Sequence, residues 1–475
     1  MMNIITELLV NLESYKILFM KDLIHMKVCK FGGTSVASAE QIEKVFNIVT
    51  SDESRRIVVV SAPGKRSSDD TKVTDLLIAL GEKALANEST DEALEEVTNR
   101  YRSIAKDLQV DPAIMTTIEE DLKKRLDISK EDEEYFMDCM KASGEDNNAK
   151  LIAAYFQKRG VPAKYVSPKE GGLIVNDRPA RMRALPEAYE QMAKLRDTEE
   201  IVVFPGFFGF TKDGTLRTFD RGGSDITGSL LAAATEADMY ENFTDVDGVF
   251  AANPNVVDNP EGIDKMTYRE MRELAYSGFS VFHDEALMPA FRKSVPVCIK
   301  NTNNPSAPGT MIVRERKHAP DRPVVGIAAD DGFMTLYVDK YMMNQEVGFG
   351  RKLLQILEDE GISYEHTPSG IDNLSVIMRE QYLSEETEQR ILDRIEKELE
   401  PDHVQVEHDL SMIVLVGEGM RHQTGLTARA ASAIARTGAS IQMINQGSSE
   451  VSLVFGIMTK DEDNILRALY DEFFN

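Results

Sequence analysis

The chain has 475 residues, of which 42% are hydrophobic, 28% charged and 7% aromatic. This length and composition exclude a single small module and a disordered or fibrous chain, and they predict about two to four folded domains. The 54 lysines and arginines against 80 aspartates and glutamates leave a net charge of −26. Such an acidic chain argues against nucleic acid or an anionic membrane as its partner. Cys29, Cys139 and Cys298 are widely spaced, so we expect no disulfides, no metal site and a reducing cytoplasm.

The first 25 residues form a separate N-terminal extension. Apolar residues recur there at helical spacing, and Glu7 and Glu13 interrupt any signal-peptide core. This pattern predicts an amphipathic helix rather than a targeting sequence. Because a strand-like run follows Met26 at once, we hypothesise that the working protein begins near Met26.

Strand-like apolar runs alternate with segments of helical period over residues 26–315. The runs are Val28–Phe31, Arg56–Ser61, Ile201–Phe210, Met239–Phe243 and Val295–Ile299. Alternation of this kind predicts an α/β sandwich with a largely parallel sheet. Residues 74–149 are helical in period and strongly charged, so we expect a helical lobe inserted into this domain or laid over the sheet.

The part of the chain after a Pro- and Asn-rich break at 301–309 repeats itself. Gly348 and Gly425, Gly361 and Gly438, and Ser375 and Ser452 are pairs with one offset of 77 residues. Each copy reads strand, glycine loop, helix, glycine turn, strand, strand, helix, which is the βαββα order of a ferredoxin-like module. The sequence therefore predicts two such modules, at 326–402 and 403–475.

Two glycine pairs follow strand-like runs in the first domain. Gly32 and Gly33 come after Lys30, where backbone N–H groups can approach a phosphate and the ammonium can neutralise it. No Walker A or G-x-G-x-x-G motif is present in the sequence. The second pair lies within 220–225, where Arg221 can hold a carboxylate and Asp225 can orient a nucleophile or a metal-nucleotide. Alternatively, Ser224 or Asp225 simply caps the next helix.

Two further clusters are weaker by themselves. The run 244–250 follows a predicted strand, at the sheet edge where α/β proteins bind ligands, yet its Asp-Gly step is also common turn chemistry. The run 143–146, Ser-Gly-Glu-Asp, is predicted to open a helix. Its acidic first turn suits the helix dipole, while Glu145 could equally receive a substrate ammonium.

Taken together, these motifs resemble those of the aspartokinases in order and spacing. The resemblance rests on Lys-Phe-Gly-Gly-Thr-Ser, Ser-Gly-Glu, Arg-Gly-Gly-Ser-Asp and Thr-Asp-Val-Asp-Gly, and it extends from Met26 to the end of the chain. Segments 141–156 and 267–308 are similar in particular to the monofunctional type of Gram-positive bacteria. The resemblance implies an amino-acid-kinase fold followed by two ACT modules. It also implies transfer of the γ-phosphoryl group of MgATP to the β-carboxylate of L-aspartate, the first step toward lysine, threonine and methionine.

The family pattern also implies a role for each matching residue. The catalytic residues would be Lys30 and Asp225. Those near ATP would be Lys30, Gly32, Gly33, Thr244, Asp245 and Phe250. Those for aspartate would be Ser61, Thr74, Glu145, Arg221 and Ser224, with Glu145 on the ammonium and Arg221 on a carboxylate.

The repeated modules would regulate the enzyme and join copies of the chain into a homo-oligomer. Lysine, threonine or both would bind beside the glycine loops. The residues implied for the effector are Asn344, Glu346, Gly348, Gly425, Asn445, Gln446, Ser448, Ser449 and Glu450. A purely dimerising role for the modules is the alternative.

Two departures from the family pattern leave other functions open. Asn255 and Ser280 stand where the family commonly has arginine and lysine near ATP, and Lys300 or Lys265 could compensate. The alternatives are an amino-acid sensor that has lost catalysis, or a related kinase for glutamate, acetylglutamate or uridylate.

Overall fold

The computed structural model describes residues 25–177, 181–220, 222–279, 284–317, 322–447 and 451–475. The helix predicted in the N-terminal extension lies outside these residues. The chain forms two compact units, each described here by itself. The first holds the described residues of 1–249, 264–268 and 281–316, and the second those of 250–263, 269–280 and 317–475.

The first unit is built on an eight-stranded sheet with the order β3-β4-β2-β1-β7-β9-β10-β8. The strands are β1 Lys27–Phe31, β2 Arg55–Val60, β3 Ala163–Tyr165, β4 Ile201–Pro205, β7 Met239–Thr244, β8 Lys265–Thr267, β9 Val297–Asn301 and β10 Thr310–Val313. All neighbours pair in parallel except β9 and β10. The predicted α/β fold with a largely parallel sheet is confirmed.

The run predicted over Ile201–Phe210 is broken into two pieces. Its end forms β5 Phe208–Phe210, which makes a separate hairpin with β6 Leu216–Thr218. The break falls at Gly206 and Phe207. Phe207 has a φ of 79°, and a Cβ on Gly206 would lie 2.5 Å from Ser224 Oγ. This close approach needs glycine, and a continuous strand could not make it.

Helices flank the sheet, and a group of them forms the predicted helical lobe. The helices of the first unit are α1 Ala39–Thr50, α2 Val73–Leu85, α3 Asp91–Asp107, α4 Ala113–Leu126, α5 Glu133–Lys158, α6 Pro186–Met192, α7 Gly223–Ala234 and α9 Leu287–Lys293. Helices α2 to α4 and the first half of α5 make the lobe. Leu77, Tyr101, Leu122 and Phe136 are fully buried in its core. Apolar side chains at helical spacing thus join the lobe to the sheet.

The second unit carries a five-stranded antiparallel sheet with the order β12-β11-β13-β15-β14. Its strands are β11 Gly326–Asp339, β12 Asn373–Arg379, β13 His403–Val416, β14 Met443–Asn445 and β15 Ser452–Met458. Its helices are α10 Phe349–Asp359, α11 Glu385–Leu399, α12 Leu426–Arg436 and α13 Glu462–Phe474. Helix α8 Tyr268–Tyr276 begins in the first unit and continues in the second.

The structure reproduces the internal repeat. Strands β11 and β13 are each 14 residues long, and helices α10 and α12 are each 11 residues long. Gly348 and Gly425 precede the two helices with φ of 85° and 81°, a left-handed conformation that favours glycine. The second copy has the predicted βαββα order. In the first copy the strand expected before β12 is reduced to isolated bridges at His366 and Ser369.

Two strands run through both halves of the five-stranded sheet. Residues 326–330 of β11 pair with residues 412–416 of β13, and after a register shift 333–339 pair with 403–410 and with β12. The predicted module boundary, between residues 402 and 403, falls just before β13. Segments 250–263 and 269–279, predicted as part of the first domain, belong by contact to the second unit. For instance, the Ile327 amide donates to the Ala251 carbonyl at 2.7 Å.

No helix among the described residues is long and apolar enough to cross a membrane.

Candidate active site

The carboxyl ends of the parallel strands meet at one edge of the large sheet, where the predicted motifs lie. Gly32 follows β1, Ser61 follows β2 and Gly206 follows β4, while Thr244 ends β7. The Gly32 amide donates to the Phe243 carbonyl at 3.2 Å. Sequence motifs far apart in the chain are thus brought to neighbouring strand ends.

Lys30 and Asp225 form a largely buried ion pair at this edge. Lys30 Nζ lies 2.6 Å from Asp225 Oδ1, and the two side chains are 9% and 18% exposed. Asn242 on β7 donates to the same carboxylate oxygen at 2.7 Å. The ammonium and the carboxylate are therefore held at fixed positions beside the glycine loop.

The start of α7 differs from the capping alternative. Gly222 is the N-cap, in a left-handed conformation with φ of 59°, and no side chain caps the helix. Asp225 lies in the first turn and pairs with Lys30, while Ser224 is buried against Gly206. Neither Ser224 nor Asp225 caps the helix. Both side chains instead contact residues at the edge of the sheet, Ser224 at Gly206 and Asp225 at Lys30.

The glycine loop is packed against the loop that follows β2. The Gly64 amide donates to the Gly33 carbonyl at 2.8 Å. A Cβ on Gly64 would lie 2.5 Å from the Gly33 carbonyl carbon, and one on Gly33 would lie 3.2 Å from the Ala62 oxygen. Two backbones come this close only where both residues are glycine.

Glu145 lies in the middle of α5, 26 residues long, so the prediction that 143–146 opens a helix is wrong. The helix continues through this run because Gly144 lets it approach the sheet. A Cβ on Gly144 would be 2.8 Å from Ala62 Cβ. The polar side chains around it are buried, and most of them bond to protein groups.

Within this buried run, Glu145 and Asn148 each keep one buried side-chain oxygen without a partner among the described residues. The Ala62 amide donates to the Glu145 carboxylate, but Oε2 is buried without a hydrogen-bond partner among the described residues. Burial and, secondarily, the nearby Asp146 carboxylate raise the pKa of Glu145 to about 8, although backbone amide donors oppose the shift. A buried carboxylate with a free oxygen is suited to receive a ligand cation.

The remaining predicted residues of the first unit occupy the same loops. Thr74 lies in the first turn of α2. Thr244 Oγ1 donates to Asp245 Oδ1 at 3.2 Å. Asn148 Nδ2 donates to the Ser61 carbonyl at 2.7 Å, which fixes the end of β2 to α5.

Several predictions remain untested by this geometry. Arg221 and Ser280 lie outside the described residues, and Phe250 belongs to the second unit. Of the lysines considered as replacements near ATP, Lys300 donates to the Ala307 carbonyl at 3.1 Å, and Lys265 is exposed on β8.

The chain matches the amino acid kinase family model over residues 25–301 and an ACT domain model over residues 413–473. It is 56% identical over 449 residues to Aspartokinase 3 of Bacillus subtilis (strain 168), covering 94% of this chain and 99% of that relative. The chain belongs to the aspartokinase family. Aspartokinase 1, chloroplastic, of Arabidopsis thaliana is 31% identical to this aspartokinase over 463 residues, covering 94% of this chain and 80% of that relative.

The fold is similar to that of a solved relative. The crystal structure of Clostridium acetobutylicum aspartate kinase, described as an allosteric enzyme, has a TM-score of 0.84 and 34% identity. The match covers 94% of this aspartokinase and 100% of that chain. The predicted family, fold class and aspartate kinase activity are confirmed by these matches.

Two contributors to the site of this aspartokinase were missed by the sequence interpretation. Asn242 holds Asp225, and Gly64 supports Gly33. Asn242 could have been noticed because it is a polar residue inside the predicted strand 239–243. Its side chain is 2% exposed, so it needs a buried partner. Gly64 belongs to none of the motifs, and its close contact with Gly33 depends on the fold.

The predicted effector residues occupy two places in the second unit. Gly425 and Gln446 line one cavity of about 410 Å³, and Thr427 Oγ1 donates to Gln446 Oε1 at 3.3 Å. Asn445 Nδ2 lies 3.0 Å from His366 Nδ1. Residues Ser448, Ser449 and Glu450 lie outside the described residues.

The effector residues of the first module lie near its glycine loop. The Asn344 amide donates to the Ile371 carbonyl at 3.2 Å, and Gly348 precedes α10. Ion pairs with Lys340 and Lys352, each at 2.8 Å, lower the pKa of Glu346 to about 2. The Glu346 carboxylate is thus already engaged by two ammonium groups.

Gly64→Ala should lower kcat/KM for ATP by about 100-fold, because the new Cβ forces the Gly33 backbone to move. Steady-state kinetics with MgATP and L-aspartate would measure the effect. Gly262→Ala is the control, since a Cβ there meets no atom within 4 Å. Equal activity of the two variants would show that the Gly33 backbone need not be held in place.

Proposed function

We propose that this aspartokinase binds the phosphates of MgATP at Gly32 and Gly33 and the ammonium of L-aspartate at Glu145. The observation that carries this proposal is the position of the Ala62 backbone. Its carbonyl faces Gly33, and its amide donates to Glu145. The phosphate and ammonium sites therefore lie on two sides of one residue, which would bring the γ-phosphoryl group close to the aspartate side chain.

The reaction needs little covalent chemistry from the protein. A β-carboxylate oxygen of aspartate attacks the γ-phosphorus, the bond from phosphorus to the ADP oxygen breaks, and ADP leaves with the electron pair. Lys30 neutralises charge on the transferring group, and Asp225 holds Lys30 in place. Ser61, Thr74 and Ser224 line the aspartate side, Thr244 and Asp245 border the nucleotide, and Arg221 holds a substrate carboxylate.

Mg²⁺ would be brought in with the nucleotide and would supply positive charge that offsets the charge of the phosphates. The glycine-lined cradle leaves room for phosphates, because Gly32 has only Lys30 Nζ and the Phe243 oxygen near its absent Cβ. We assign no protein ligand to the metal ion. We place the enzyme in the cytoplasm, in keeping with its three free, buried cysteines.

Trapping the acyl phosphate with hydroxylamine tests the substrate pair. Purified protein with MgATP and L-aspartate should form the hydroxamate, and product should depend on aspartate. Glutamate and acetylglutamate, offered separately, should give no hydroxamate. Uridylate, whose phosphorylation forms no acyl phosphate, should give no release of ADP. Product from one of these and not from aspartate would contradict the proposal.

We further propose that lysine, threonine or both bind the second unit and lower activity, and that the paired modules join copies of the chain. The cavity beside Gly425 and Gln446 is a site for such an effector. An amino acid bound there would inhibit by differential affinity for a less active arrangement.

Gln446→Ala should raise the effector Kd by about tenfold through a lost hydrogen bond. Calorimetry with lysine, threonine and their mixture would measure it. Gln389→Ala is the control, because Gln389 lies exposed on α11 and donates to Asp393 on the same helix. Unchanged effector affinity in Gln446→Ala would move the effector site away from this cavity.

A further inference from the structure

Arg100 is a buried cation of the helical lobe that none of the motifs predicted. It lies on α3 and is 5% exposed. One terminal nitrogen, Nη1, donates to Asp70 Oδ1 at 2.9 Å. The other, Nη2, donates to the Gly64 carbonyl at 2.5 Å and lies 2.8 Å from Asp70 Oδ2.

These contacts fix the loop 61–72, which joins β2 to α2. Within it, the Arg66 amide donates to Asp70 Oδ2 at 2.8 Å, and the Arg66 side chain pairs with the same carboxylate. Hydrogen bonds from Arg66 and then Arg100 hold the pKa of Asp70 well below its usual range. Asp70 therefore stays charged across the working pH and gives Arg100 a permanent partner.

The loop fixed by Arg100 reaches both substrate sites proposed above. Gly64 accepts from Arg100 through its carbonyl and donates to Gly33 through its amide. The Val73 amide donates to the Pro63 carbonyl at 3.0 Å, which ties the start of α2 and Thr74 to the same loop. Ala62, whose amide bonds to Glu145, is two residues before Gly64.

We propose that Arg100 is a positioning residue for phosphoryl transfer. It acts through the backbone of Gly64 on the glycine loop and through the 61–72 loop on the aspartate site. This inference rests on the proposed phosphate site at Gly32 and Gly33. Arg100 touches no reacting atom. It sets the position of the Gly33 backbone, and a displacement of about 1 Å at such a position can lower the rate by about 100-fold.

Arg100→Lys tests the proposal in the full chain. One ammonium cannot reproduce the fork of donors to the Gly64 carbonyl and to both Asp70 oxygens. We expect kcat to fall about tenfold to 100-fold and KM for ATP and for aspartate to rise. Asp70→Asn, which keeps the side-chain shape, should shift the same constants in the same direction.

Arg102→Lys is the matched control. Arg102 lies on the same helix and also makes two ion pairs, with Glu95 at 2.8 Å and Glu119 at 2.9 Å, but its side chain is 44% exposed. Its kinetic constants should stay within about twofold of the native chain, because exposed pairs contribute little. Melting temperatures of the three variants would show that each is folded at the assay temperature, with a larger decrease expected for the two variants of the buried pair.

The outcomes separate this inference from the site proposal. Constants for Arg100→Lys and Asp70→Asn that match Arg102→Lys would overturn the inference. A fall in kcat with both KM values unchanged, in proportion to a smaller folded fraction, would also overturn it, because it would indicate a merely structural role. If Lys30→Met remained active, the phosphate site itself would be misplaced, and the inference would fail with it.

Discussion

Lys30→Met should lower kcat by about 1,000-fold or more while leaving the fold intact. The ammonium lies 3.5 Å from where a Cβ on Gly32 would stand, 2.6 Å from Asp225, and it is largely buried. In such a water-poor site a charge aimed at the transferring group is worth far more than in bulk water. Methionine keeps most of the side-chain volume, and Asp225 retains its bond from Asn242.

Lys27→Met is the control for this change, because Lys27 lies on the same strand. Its ammonium pairs with Asp52 at 2.7 Å and its side chain is 25% exposed. We expect its kcat to stay within about twofold of the native value. Hydroxamate formation under saturating substrates would measure both variants, and a loss of less than tenfold in Lys30→Met would exclude Lys30 as the main cation.

Glu145→Gln should raise KM for aspartate by about 100-fold, with a smaller change in KM for ATP. The reason is the loss of a buried charge pair with the substrate ammonium, which costs about 2 to 5 kcal/mol. Initial rates over a wide range of aspartate concentrations would measure it. Glu133→Gln, at the exposed start of the same helix, should leave both KM values within about twofold.

The raised pKa of Glu145 gives this prediction a pH dependence. In the free enzyme the carboxyl is protonated below a pKa of about 8, and an ammonium ligand favours its charged form. Aspartate should therefore bind more tightly as the pH rises from 7 toward 8.5, with proton release. Glu145→Gln should lack this dependence. If the KM for aspartate fell equally with rising pH in the native chain and in Glu145→Gln, Glu145 would not be the ammonium site.

Stability without substrate should change with pH in the opposite direction. The folded-state pKa of Glu145 lies above its unfolded value. At a pH between these two pKa values, the folded chain therefore binds a proton that the unfolded chain has released. This contribution to stability is fully present below the unfolded pKa and is lost as the pH rises through about 8. Melting temperatures at pH 6 and pH 9 should thus differ more for the native chain than for Glu145→Gln.

The sequence predicted the fold well because its signals are local. Apolar runs gave the buried strands, and a repeat of 77 residues gave the second unit. Errors arose where tertiary contacts overrode local patterns. The Ser-Gly-Glu run reads as a helix start, but Gly144 serves close packing against Ala62 inside a long helix.

The candidate site was predicted through motifs whose residues each follow a strand. Lys30 on β1 and Asp225 in the first turn of α7, nearly 200 residues apart in the chain, meet because α7 packs against β1. None of the motifs includes Asn242, Gly64 or Arg100. Folding alone brings Asn242 to the Asp225 carboxylate, Gly64 to the Gly33 carbonyl and Arg100 to the 61–72 loop. Such supporting contacts are set by topology and have no signature of spacing.

The two long strands β11 and β13 have a consequence for how the regulatory unit can be altered. Each of these strands runs through both halves of the sheet. Removal of one repeat would therefore take a central strand from the half formed by the other repeat, and the exposed strand edge would promote aggregation. The halves should therefore melt together. An effector that stiffens one half must act on its neighbour along the same backbone, and an exchange of modules between relatives must transfer the pair as one piece.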